Sequence, residues 1–140
     1  MPIMDCWIHD YRPLVRCRVS AGESSLDVIA LLDTGATECT VTPAVPSAIG
    51  LAISGSRMLH TVGASGTSDH GQATFTFEGR VDGNGFTGWN VDSMTFVKSL
   101  SPEYQAIIGM NVVSQGRLTI DGNAVSFVGP RENGIGLGSG

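Results

Sequence analysis

Ile29-Ala30-Leu31-Leu32-Asp33-Thr34-Gly35-Ala36-Thr37 is the stretch on which the reading of this chain turns. An apolar run delivers one carboxylate to a tight Gly turn, and β-forming residues resume at Thr37, Thr40, Val41 and Thr42. A carboxylate at the end of a hydrophobic strand costs several kcal/mol unless it is hydrogen-bonded or shares its charge. Such a position suits chemistry. The residues alone also allow a plainer reading, in which a strand runs into a type I turn and Asp33 caps it.

The rest of the chain sets the frame. Its 140 residues suit one domain with a real core. Only 15% are charged and 19 are Gly, which favours short strands and tight turns over a helical bundle. The net charge of −5 leaves no basic patch to neutralise phosphates, so no nucleic-acid partner is expected. Cys6, Cys17 and Cys39 show no paired spacing, giving neither a zinc site nor a disulfide framework. No apolar run reaches the ~18 residues that a membrane-crossing helix needs. Residues 1–10 lack the apolar stretch of a secretory leader. Free thiols and no visible leader favour a cytoplasmic setting, unless the chain is excised from a longer precursor.

Period-two alternation from Tyr11 to Val19 predicts a half-exposed strand, with Val15, Cys17 and Val19 on one face. Leu26 to Leu32 becomes continuously apolar, as in a strand buried on both faces at its end. Pro43, Pro46 and Gly50 leave room for one helical turn around Ser47–Ile49. Residues 58–67 read as a hairpin with Val62, Gly63, Ala64, Ser65 and Gly66 at its tip. Asp82-Gly83-Asn84-Gly85 predicts a turn pairing Phe75–Val81 with Phe86–Val91. Ala106 to Gly109 reads as a strand, and residues 111–115 as a short helix with Gly116 as its C′ residue. Asp121-Gly122-Asn123 joins a last hairpin. Residues 1–128 form the expected domain, and 129–140 a flexible Gly-rich tail.

Four segments, in order, resemble the retroviral-type aspartic proteases, or retropepsins. Arg12-Pro13-Leu14-Val15 resembles their first strand, and Leu31-Leu32-Asp33-Thr34-Gly35-Ala36 their catalytic loop. Residues 62–66 stand where their glycine-rich flap would be. Ile107-Ile108-Gly109-Met110-Asn111-Val112-Val113 resembles the Ile-Ile-Gly segment that crosses beneath their active site. The resemblance implies an all-β, closed-barrel-like acid-protease fold with one short C-terminal helix, assembled as a homodimer. Two departures stand out. Thr37 and Met110 occupy positions where the family often carries an acid and an Arg, and the 121–123 hairpin extends past the usual end of the domain.

The resemblance also implies a chemistry. One Asp-Thr-Gly per chain makes half a site, so two copies would face each other across a twofold axis. Asp33 and Asp33 of the partner subunit would share one proton, activate water and polarise a peptide carbonyl. Thr34 would tie the two loops, and Gly35 would expose backbone to an extended peptide substrate. Ala36 withholds a donor that a Ser or Thr would offer, favouring a mildly acidic optimum. Residues 62–66 would close over the substrate, while Ile108 and Gly109 would floor its subsites. No metal or cofactor is expected: His9, His60 and His70 match no ligand spacing, and Cys39 has no evident His to activate it. The alternative is an inactive member of the same fold, serving as a dimerisation or peptide-binding module.

Overall fold

A computed structural model describes residues 3–61, 64–81 and 84–129 of the chain. Positions 1–2, 62–63, 82–83 and 130–140 lie outside the described residues, and with them the tip of the flap candidate and nearly all of the expected tail.

The alternation in the basic segment does make a strand. In β3 (Arg12–Ala21), Val15, Cys17 and Val19 are buried and Arg16 and Arg18 exposed. It pairs antiparallel along its length with β4 (Ser24–Leu32), from Leu14↔Leu31 to Ala21↔Ser24. Val28, Ala30 and Leu32 of β4 point into the core, while Ile29 and Leu31 are half-buried. The second face of β4 is therefore only partly covered. Ahead of them, β1 (Ile3–Met4) and β2 (Cys6–His9) form from a segment whose composition shows little pattern. They gain their place from partners: β2 pairs with β3, and β1 lies between two other strands. Asp10 and Tyr11, both with positive φ, make the turn from β2 to β3.

Beyond β4 come β5 (Cys39–Val41), helix α1 (Ala44–Ile49), β6 (Gly55–Thr61), β7 (Ala64–Val81) and β8 (Asn84–Val97). Then follow β9 (Ala106–Ile108), helix α2 (Met110–Val113), β10 (Arg117–Asp121) and β11 (Ala124–Val128). The pairings β7–β8–β5–β9–β4–β3 return to β7 and close a six-stranded barrel. The all-β barrel is thus present, with two short helices; the resemblance implied one, and the residues left room for a further turn where α1 forms. Helix α1 is longer than the single turn read from the sequence. Pro46 sits in its first turn, where a missing N–H costs no intrahelical bond. Gly50, left-handed at φ 68°, ends it and donates to the Pro46 carbonyl.

Two features near the C-terminus also depart from expectation. Helix α2 starts at Met110 and ends at Val113, and Gly116 is not among the positive-φ glycines of the described residues. Gly is needed there for another reason: a Cβ would lie 2.5 Å from the Val128 carbonyl oxygen. The β10–β11 hairpin then adds to the sheet through β11 and β1.

The core fills the barrel and extends beneath this hairpin. Phe75, Phe77 and Phe127 are fully buried. Phe77, Trp89 and Phe127 meet pairwise with ring centroids 5.1–5.6 Å apart, so the last hairpin is locked to β7 and β8 by aromatic contact. No helix among the described residues is long and apolar enough to cross a membrane.

Candidate functional site

Two parallel strands end side by side. β4 and β9 are in register at Ala30↔Ala106, Leu31↔Ile107 and Leu32↔Ile108. On its other edge β9 pairs antiparallel with β5, so it is inserted between two strands that the chain joins directly through residues 33–38. Asp33 and Gly109, the residues just past the two strand ends, therefore become spatial neighbours.

Hydrogen bonds hold this junction. The Asp33 N–H donates to the Ile108 carbonyl at 3.0 Å. The Gly35 N–H donates to Asp33 Oδ1 at 2.8 Å, and the Ala36 N–H to the Asp33 carbonyl at 3.2 Å, closing the turn. The start of α2 then braces the loop from behind. Met110 N–H donates to the Ala36 carbonyl at 2.7 Å and Asn111 N–H to the Thr37 carbonyl at 3.0 Å. Gly109 is packed so tightly on Glu38 that a Cβ would lie 2.5–2.7 Å from its backbone atoms.

The exposure pattern leaves the loop facing outward. Asp33 and Ala36 are half-buried, and Thr34 and Gly35 are exposed. Ile108, expected to floor a subsite, is instead fully buried in the core. It contributes its carbonyl to the loop, because alternation along β9 turns its side chain inward.

Asn111 is the residue whose part the sequence did not reveal. Its Nδ2 donates to Ser93 Oγ at 2.7 Å, its Oδ1 lies 3.6 Å from Cys39 Sγ, and its carbonyl accepts from Gln115 Nε2 at 3.0 Å. One side chain thus links β5, β8 and α2 directly beneath the loop. A polar residue in a short helix after an Ile-Ile-Gly strand was the available signal; its partners are far away in sequence. Cys39 itself is fully buried, and burial pushes its thiol up from the ordinary range, so it is no nucleophile.

The flap candidate is placed in part. Ala64, Ser65 and Gly66 begin β7 and pair with Thr61, His60 and Leu59 of β6. β7 meets β8 only from His70 onward, so this hairpin extends past the barrel wall. Val62 and Gly63 lie outside the described residues. The histidines are dispersed. His9 approaches Asp10 and Glu103 with ligand atoms within 4.8 Å, but the Arg12 guanidinium sits 3.3 Å from the same Glu103 carboxylate and opposes a cation. His70 lies against the Phe96 ring.

The chain matches no protein-family model and no curated protein.

Proposed function

We propose that the chain is a retropepsin-like aspartic endopeptidase, active as a homodimer on extended polypeptides. The observation that carries this reading is the Asp33 carboxylate itself. It is half-buried at the mouth of a β4–β9 strand pair, bonded through Oδ1 to the Gly35 N–H, on a loop whose next two residues are exposed. A carboxylate so held has one face supported by the fold and the other free to meet a partner.

A single chain supplies one such group, and a second copy across a twofold axis supplies the other. Two carboxylates about 3 Å apart retain one proton between them. The ionised member takes a proton from water as the water attacks the peptide carbonyl, and the protonated member donates to the carbonyl oxygen. The amine leaves with a proton from the same pair, and one hydroxyl proton of the tetrahedral intermediate returns to the carboxylates as the C–N bond breaks, restoring the singly protonated pair. Thr34, exposed beside Asp33, would tie the two loops, and the exposed Gly35 backbone would meet the substrate. Met110, 37% exposed behind Ala36, offers apolar surface for the partner to cover where an ion pair is absent. Substrate would bind by strand addition beside the paired β6 and β7.

The test is cleavage of casein between about pH 4 and 7 by wild type and Asp33→Asn at matched concentrations, with light scattering on both. Cleavage by wild type alone, steepening with protein concentration as dimers form, is the expected result. Cleavage by both proteins would remove Asp33 from the chemistry. A stable dimer that cuts nothing would select the peptide-binding module instead.

A further inference from the structure

A concave site away from Asp33 lies on the barrel wall, where β3 changes partner. Residues 12–15 of β3 pair with β2, whereas residues 18–20 pair on the same edge with β7. Between them the Arg16 N–H donates to the Asp5 carbonyl at 3.0 Å, and the chain then crosses from β2 back to β1 on β7. β2 and β7 therefore splay apart and leave a wedge. It opens into a cleft of about 480 Å³ that continues over β4 to Ile29 and Gln105. That volume is of the size that takes a small organic molecule.

The polar groups around it carry both signs. Arg16 and Arg18 face Asp5, Asp27 and Glu78. The Arg16 guanidinium is oriented from two sides: Asp5 Oδ2 lies 3.2 Å from its Nε, and its Cζ lies 5.3 Å from the Trp7 ring centre. With Nε engaged, its terminal nitrogens can take a second carboxylate, and the side chain is 66% exposed. Arg18 is tied to Asp27 at 2.8 Å. Glu78 stands 3.9 Å from Arg18, an ion pair too long for a hydrogen bond, and is 61% exposed. It keeps acceptor capacity for an ammonium group.

Charge balance narrows the ligand. Three carboxylates disfavour a polyanion, and two guanidiniums disfavour a simple cation. A zwitterion with separated ends satisfies both, its carboxylate on Arg16 and its ammonium on Glu78, with Ile29 beneath an apolar middle. We infer that this cleft binds short free peptides by their two charged termini, at a site separate from Asp33.

The test uses the full chain carrying Asp33→Asn, so that no probe can be hydrolysed. Isothermal titration and amide chemical-shift mapping compare the dipeptide Ala-Leu with its N-acetyl and C-amide forms. Ala-Leu should shift the amides of Thr76 and Ile29. Capping either end, or introducing Arg16→Gln or Glu78→Gln, should weaken binding about tenfold or more, the loss expected for one charge-assisted hydrogen bond. Capped and free peptides binding alike, variants binding as well as their parent, or no shifts at these amides up to millimolar peptide would each overturn the assignment. Both substitutions are on the exposed wall, and an unchanged amide spectrum without peptide verifies that the variants fold.

Discussion

The Asp33 N–H is bonded to the Ile108 carbonyl at 3.0 Å, across 75 positions of sequence. This one bond continues the β4–β9 pairing by a step and sets where the carboxylate begins. The loop is thus an extension of the barrel wall rather than a free turn, and perturbing its supports should reach the site.

Gly109→Ala is the most direct perturbation. The added methyl would press on the Glu38 backbone at 2.5–2.7 Å, and neither backbone can move without breaking the bonds around Ala36 and Thr37. A loss of about 1–3 kcal/mol in urea denaturation is expected from overpacking of this kind. Cleavage should fall further than the stability loss accounts for, because Glu38 shares the loop with Asp33. A variant as stable and active as wild type would show that the contact relaxes.

Asn111 and Ser93 should be coupled. Asn111→Ala strips the 2.7 Å bond to Ser93 Oγ and the contact to Cys39, for a cost of about 1–3 kcal/mol. Ser93→Ala removes the same bond from the other side. A double-mutant cycle should therefore yield a coupling of about 0.5 kcal/mol or more. Strict additivity would mean that the side chains do not support each other.

The thiols should be quiet in the native chain and visible in alkaline unfolding. Burial pushes the Cys17 thiol well above the ordinary value of 9.0, and raises those of Cys39 and the half-buried Cys6 too. Unfolded thiols ionise first, so above that value the unfolded state holds fewer protons than the folded one and stability falls as pH rises. Below it the thiols impose no pH slope. Titration with a chromogenic disulfide should find Cys6 alone reacting slowly at pH 8, and three thiols after denaturation. Fast reaction of all three in the native state would contradict the burial.

Asp27 acts in the opposite direction. Its hydrogen bond and charge contact with Arg18 hold its carboxyl below the usual carboxylate range, so the pair contributes stability above that range and loses it as pH falls through the folded value. The pair is exposed and the effect small. Stability measured between about pH 5 and 2 should decline slightly less steeply in Asp27→Asn than in wild type. A steeper decline would reverse the assigned sign.

The strands of the barrel were legible because period-two alternation in β3 and the turn residues after Val81 and Asp121 are local signals. The candidate carboxylate was legible too, since Leu32-Asp33-Thr34-Gly35 sets an acid against an apolar strand within a few residues. Helix α1 was read too short because prolines act as breakers only inside a helix, and Pro46 stands in the first turn. β1 was missed because its partners are remote, Ile3 pairing with Val128 and Arg80. β2 pairs locally with β3, but Asp10-Tyr11 carries none of the usual Gly or Asn turn residues that would have announced the hairpin.

By itself, the sequence determined a chain made mostly of strands, the turn after Asp121, and a carboxylate, Asp33, at the end of an apolar strand. All of these follow from the covalent order of neighbouring side chains. Only the tertiary structure decided that β9 slips between β4 and β5, that Ile108 turns into the core, that Asn111 reaches Ser93, and that β3 forks into a charged cleft. Each of these depends on which distant segments share a strand edge. Burial of the whole core selects that pairing, and no local stretch of residues encodes it.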